Sequence, residues 1–192
     1  NIFVKDVLKA NYYINKFSIL MRDGLQFSRM KSISLGQEIA FLKNYLVLEE
    51  MRFAGRFRSE FVIDETIVQE QVRIPPFIFQ PVIENAVKHA FKDKTTTGLL
   101  KVCFQREENG QSLRVIIEDN GVGLQATKNG AKRQGKNKSL GLTIVQNQID
   151  LLNQQTGQTK AAFQLIDLST LDPPRPGVRA VFVIPYKIAS HD

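Results

Sequence analysis

Apolar residues recur at helical spacing in the first part of the chain. Leu35, Ile39, Leu42, Leu46 and Phe53 fall three, four or seven residues apart, which predicts one buried helix face. Ser34-Leu35-Gly36-Gln37, at the start of that run, has the spacing of a capping box: a serine oxygen for one exposed amide, and Gln37 reaching back. The stretch from Phe3 to about Phe27 also reads as helix, with an interruption expected at Asp23-Gly24 and a junction near Met30 to Ser34. After Phe53 the texture changes. Arg56 to Ile63 reads as a strand with Phe57, Phe61 and Ile63 as its bulky residues, followed by a polar turn at Asp64 and Glu65. Pro75-Pro76 predicts a stiff start to a helix over about Phe77 to Phe91, with Pro81 tolerated near its beginning. Leu100, Val102 and Phe104 alternate with Lys101, Cys103 and Gln105, the pattern of a half-buried strand. A hairpin turn at Glu108-Asn109-Gly110 leads into a second strand, Leu113 to Glu118. A helix is expected from Leu140 to Gln155, and strands over Ala161 to Ile166 and Arg179 to Ile184 flank a loop containing Pro173, Pro174 and Pro176. This order predicts an α+β fold: a mixed sheet with helices on one face, preceded by a helical segment.

Composition narrows the classes. Of 192 residues, 43% are hydrophobic and 23% charged, which excludes wholesale disorder. The net charge of +7 leaves anionic partners open without choosing among them. Five of the cations, Lys128, Lys132, Arg133, Lys136 and Lys138, lie between Leu124 and Leu140, a stretch without an acidic residue. No RNA- or DNA-binding motif accompanies them, so nucleic acid is not expected as a partner. The single cysteine, Cys103, cannot form an internal disulfide and fits a reducing compartment. Runs such as Ala180-Val181-Phe182-Val183-Ile184 are far short of a membrane span. The chain opens on Asn1 with no signal-like segment, and it reads as a fragment of something longer.

Three segments carry candidate chemistry. In Gln80-Pro81-Val82-Ile83-Glu84-Asn85-Ala86-Val87-Lys88-His89, Asn85 shares a helix face with Lys88 and His89. An amide oxygen, an ammonium and an imidazole on one spot can hold a hydrated magnesium ion and its phosphates; the same residues also suit a solvated polar face. Asp119-Asn120-Gly121-Val122-Gly123 follows a strand directly. An acidic residue there can accept a hydrogen bond from a base's amino group, and glycines let backbone approach a ligand, although Asp-Asn-Gly is also a common turn. Ser139-Leu140-Gly141-Leu142 opens a helix, and amides at a helix start make an anion site. The cationic loop before it reads either as a lid over phosphates or as a solvated surface loop.

The order of these segments resembles the ATP-binding catalytic region of sensor histidine kinases, in the branch typified by the LytS autolysis regulators, within the superfamily shared with gyrase and MutL. The resemblance covers nearly the whole chain. Leu35 to Phe53, with Tyr45, Glu49 and Arg52-Phe53, is similar to that branch's helix before its ATPase domain. Ile74-Pro75-Pro76 through Gln80-Pro81 and Glu84 to His89 resembles its N box, Asp119 to Gly123 its first glycine box, and Leu140-Gly141-Leu142 its second. The resemblance implies a Bergerat-type ATP-binding fold over residues 55–192. Residues 1–54 would be the C-terminal part of a dimerisation and phosphoacceptor region. It also implies site roles. Asn85 would contact Mg2+, Lys88 and His89 would lie near the phosphates, and Glu84 would help orient the acceptor. Asp119 would read adenine while Gly121 and Gly123 leave room for the base, and Ser139, Leu140 and Gly141 would meet the phosphates at the base of the lid.

Several features qualify the resemblance. Ser139 and Val178 stand where the family has glycine and, often, threonine. Pro81 replaces the glutamate that activates water in gyrase-like relatives, which favours transfer to an imidazole over hydrolysis. The family's acceptor histidine lies upstream, and the two histidines here, His89 and His191, are both elsewhere. The implied function is a protein histidine kinase catalytic fragment that binds ATP and Mg2+ and passes the γ-phosphate to an upstream histidine, then to a response regulator aspartate. The alternative is a degenerate kinase that binds nucleotide without transfer. The implied parent is a homodimeric, membrane-anchored bacterial sensor, of which this chain is a cytoplasmic portion.

Overall fold

The computed structural model describes residues 2–91, 97–108, 110–124, 140–155 and 160–188. Helix α1 spans Ile2–Phe27 without the break expected at Asp23-Gly24. A helical glycine costs only about 1 kcal/mol against alanine, and the last turn is anchored by packing. Phe27 is buried against Phe41, with ring centroids 6.1 Å apart. The rest of α1 leaves Val7, Leu8, Ile14, Phe17 and Leu25 exposed.

Helix α2, Leu35–Arg52, begins as its sequence predicts. The Gln37 amide donates to Ser34 Oγ (3.1 Å), and the Ser34 amide donates to Gln37 Oε1 (2.9 Å). Ser34 Oγ also donates to Glu70 Oε2 at 3.0 Å. Replacing Ser34 by alanine removes the cap and is expected to cost about 1 kcal/mol, read as a lower urea midpoint at unchanged m-value. Leu35, Ile39, Leu42 and Leu46 are buried in the same cluster as the sheet residues. Helix α2 therefore shares the main core, and only α1 stands apart from it.

The principal sheet has five strands: β2 Phe57–Ile63, β4 Gly98–Arg106, β5 Ser112–Asp119, β6 Ala162–Asp167 and β7 Val178–Pro185. Their order is β2-β4-β5-β7-β6; β2 and β4 are parallel and the other pairs antiparallel. Leu100, Val102 and Phe104 of β4 point to one face with Leu113, Val115 and Ile117 of β5 and Ala180, Phe182 and Ile184 of β7, all buried. They are covered by Val82, Ile83, Ala86 and Val87 of α3 (Gln80–His89) and by Val145 and Ile149 of α4 (Leu140–Gln155). The predicted α+β layering with helices on one face is borne out.

Two features escape the hydrophobic pattern. A small antiparallel sheet joins β1 (Ile33–Ser34), β3 (Val72–Ile74) and β8 (Lys187–Ile188); strands of two or three residues are too short to show alternation. Helix α3 starts at Gln80, with Pro81 in its first turn, so Pro75-Pro76 does not begin it. Phe77 intervenes at φ +60, a left-handed conformation that cannot continue a right-handed helix.

Candidate functional site

Helix α3 turns its apolar residues to the sheet and its other face to an open cleft of about 530 Å³. The cleft is lined by Gln80, Pro81, Glu84, Asn85, Lys88 and His89 of α3, by Phe77, and by Gly141, Ile144 and Gln148. Residues 81, 84, 85 and 88 share that face because three- and four-residue steps stack on a helix. Within it the Glu84 carboxylate accepts hydrogen bonds from Gln80 Nε2 (2.8 Å) and Lys88 Nζ (3.2 Å), one turn to either side. Burial, together with the charges of Glu49 and Glu84, pushes the Tyr45 phenol above its ordinary range.

The start of α4 comes directly onto Asn85. A Cβ at Gly141 would lie 2.9 Å from Asn85 Nδ2 and 3.5 Å from the Pro81 carbonyl oxygen. Glycine is what lets the two helices approach there, so N box and second glycine box meet as expected. The side chain of Leu140 and the whole of Ser139 lie outside the described residues, as do the five cations between 128 and 138, and His191.

Asp119 ends β5 and is 5% exposed. Its Oδ1 accepts from the Gly121 amide at 2.9 Å, and the Val122 amide donates to the Ala90 carbonyl at the end of α3 (3.3 Å). The space a Gly121 side chain would need is taken by Ala90, whose Cβ and carbonyl oxygen lie 2.4 Å from a Cβ built there. Gly123 sits at φ +79, and the Leu124 amide beyond it donates to Asp167 Oδ2 at 3.2 Å. Asp119, Gly121 and Gly123 do not line the cleft of Asn85. The segment after Asp119 instead meets the far end of the helix that carries Asn85. Ala90, which touches Gly121, is five residues past Asn85, about 7.5 Å of helix axis.

Sequence reasoning missed Phe77, Gln80, Ile144 and Gln148 as cleft residues, and Asp167 and Gly177 as supports of the Asp119 segment. Helical spacing from Glu84 could have flagged Gln80 and, from Gly141, Ile144 and Gln148. Nothing local marks Asp167 or Phe77, whose partners are distant in sequence.

Residues 76–188 match the model of the histidine kinase-, DNA gyrase B-, and HSP90-like ATPase family, and residues 2–57 match the histidine kinase model. The chain belongs to this ATPase family. Among curated relatives it is 35% identical to the sensor protein LytS of Staphylococcus haemolyticus over 123 residues, which is 64% of this chain and 20% of that protein. It is 32% identical to LytS of Streptococcus mutans over 152 residues, 77% of this chain and 25% of that protein. The chain thus spans about a fifth to a quarter of the curated relatives it matches, and the resemblance to LytS-like sensor histidine kinases is borne out. Among solved structures, the histidine kinase domain of the Erythrobacter litoralis blue-light activated kinase superposes with a TM-score of 0.55 at 19% identity, over 90% of this chain and 72% of that one. The catalytic domain of histidine kinase ThkA superposes with a TM-score of 0.53 at 17% identity, over 80% of this chain and 93% of that one. These confirm the fold of a histidine kinase ATPase domain. No helix among the described residues is long and apolar enough to cross a membrane.

Proposed function

We propose that this chain is the ATP-binding catalytic part of a two-component sensor histidine kinase. Family membership supports nucleotide binding. The observation that carries the finer reading is the single cleft shared by Asn85, Lys88, His89 and Gly141, with Asp119 held at the far end of the same helix. The Asn85 amide oxygen is a hard donor suited to magnesium. Among the described residues no group of three or more His, Cys, Asp or Glu could hold a metal alone, so the ion's remaining ligands would be phosphate oxygens and water. Held by Asn85, magnesium would supply positive charge against the phosphates.

The chain's own residues bind and position. Lys88 exchanges Glu84 for phosphate oxygens, and the freed Glu84 carboxylate faces the incoming acceptor. Asp119 accepts from the adenine amino group, and Gly141 lets the α4 amides approach the phosphates. An imidazole nitrogen from a histidine outside this sequence attacks the γ-phosphorus, and ADP leaves with the bridging oxygen. Pro81 offers no base to activate water at its place, which favours that transfer over hydrolysis. The phosphoryl group then passes to an aspartate of a response regulator.

We assign residues 1–54 to the dimerisation region and residues 55–192 to the ATPase domain, a division of role, since α2 shares the main core. The exposed apolar residues of α1 would face a second copy in a homodimer. The parent would be a membrane-anchored bacterial sensor with this portion in the cytoplasm.

Calorimetric titration with ATP, with and without magnesium, tests the site. Asn85→Ala and Asp119→Ala should each weaken magnesium-dependent binding by about a hundredfold; parent-like binding in both would overturn the assignment. Labelled phosphate appearing on an upstream histidine of the longer protein separates transfer from binding alone.

A further inference from the structure

Among the described residues, one buried carboxyl group has no role in nucleotide binding or phosphoryl transfer. Glu38, in the first turns of α2, is fully buried. Its Oε2 accepts from the Phe77 amide at 3.1 Å, across 39 residues of sequence. Its Oε1 makes no well-aligned hydrogen bond among the described residues, although the Phe79 amide also favours its charged form, and no cation among them pairs with it at ion-pair distance. A buried carboxylate so poorly compensated costs stability relative to an apolar residue of similar size. An apolar residue in its place could not accept the Phe77 amide.

What Glu38 holds is the left-handed residue just before the N-box helix. Phe77 at φ +60 turns the chain out of Pro75-Pro76. Its ring lies 5.1 Å from that of Phe41 on α2 and 6.4 Å from that of Phe27 in the last turn of α1. The same Phe77 lines the cleft of Asn85. Two residues on, Phe79 is fully buried beneath the sheet against Phe104 and Phe182, and α3 begins. The Phe77 turn is therefore a lining segment of the cleft that also touches both leading helices.

We propose that Glu38 is a positioning residue that fixes the Phe77 turn, so that the position of the α1–α2 pair sets the rim of the nucleotide cleft. The inference rests on the nucleotide reading of that cleft. The linkage is reciprocal: nucleotide in the cleft must tighten the leading helices by as much as those helices favour nucleotide.

The test uses the 192-residue chain. Glu38→Gln keeps an oxygen acceptor and the side-chain volume; Glu38→Leu removes the acceptor. Magnesium-ATP affinity should stay within about threefold of the parent in Glu38→Gln and fall about tenfold in Glu38→Leu. In the parent, hydrogen exchange followed by mass spectrometry should slow severalfold on adding magnesium-ATP, both at residues 77–79 and in the first turns of α2. Rescue by glutamine with nucleotide-dependent protection of α2 supports the proposal. Parent-like affinity in Glu38→Leu overturns it. If Glu38→Leu fails to fold, the parent exchange pattern decides: bound nucleotide that leaves α2 unchanged overturns the proposal equally. A parent that binds no ATP fails at the earlier step and removes the nucleotide reading itself.

Discussion

Gly177→Ala is expected to destabilise the chain by about 4 kcal/mol, a large loss that here comes from displaced backbone. Gly177 has φ +118, a region that side chains rarely adopt and that costs 1–3 kcal/mol for a non-glycine residue, as an order of magnitude. A Cβ there would also sit 1.9 Å from the Asp119 carbonyl oxygen and 3.1 Å from the Asn120 Cα. Both are backbone atoms, with no flexible side-chain end to swing aside. Gly177 cannot retreat easily either, since its carbonyl accepts from the Leu168 amide at 3.0 Å and Val178 next to it pairs with Asp167 in the sheet. The displaced element would be the end of β5 that carries Asp119, so nucleotide affinity should fall with stability. Gly55→Ala is the control. Gly55 has φ +72 with nothing within 4 Å of the added atom, so only the backbone term of about 1 kcal/mol remains. Urea unfolding of both variants separates strain from collision; equal losses in the two would show that the β5–β7 junction yields.

The second large effect concerns pH. Burial raises the Glu38 carboxyl from 4.5 to about 7, against the opposing pull of the Phe77 and Phe79 amides. The folded chain therefore holds a proton that the unfolded chain releases. Such a group contributes stability fully below about pH 4.5 and loses it as pH rises through about 7. The magnitude is on the order of 3 kcal/mol, undiscounted because the side chain is fully buried. Glu38→Gln is neutral throughout and lacks this slope. From about pH 4.5 to about pH 8 its unfolding free energy relative to the parent should therefore rise by on the order of 3 kcal/mol. Paired urea titrations across that range measure it, and a pH-independent difference would mean that Glu38 ionises freely in the folded chain.

Most of the architecture was legible from local pattern. The capping box at Ser34, the buried stripe of α2, the alternation in β4 and the extent of α4 all follow from nearest neighbours along the chain. The meeting of Asn85 with Gly141 was expected only through the resemblance to the kinase family, which joins the N box and second glycine box in one site. The misreadings share a cause. Asp23-Gly24 looked like a break because glycine is a poor helix former, yet the contact of Phe27 with Phe41 outweighs that small penalty. Pro75-Pro76 looked like a helix start, whereas the left-handed Phe77 turn, held by Glu38, delays it to Gln80. At Gly121 the room a side chain would need is taken by Ala90, a packing role that its sequence does not show.

By itself the sequence determined the family, the order of the helices and of the principal-sheet strands, and which side chains have the chemistry to meet a nucleotide, since those depend on residue type and short-range spacing. Only the tertiary structure decided that the segment after Asp119 packs on Ala90, at the end of the helix that carries Asn85, and that Gly177 lies under Asp119. It alone revealed that a buried glutamate reaches across 39 residues to the rim of the cleft. Those are long-range approaches of backbone and side chain, and no periodicity along a chain encodes the distance between segments that fold onto one another.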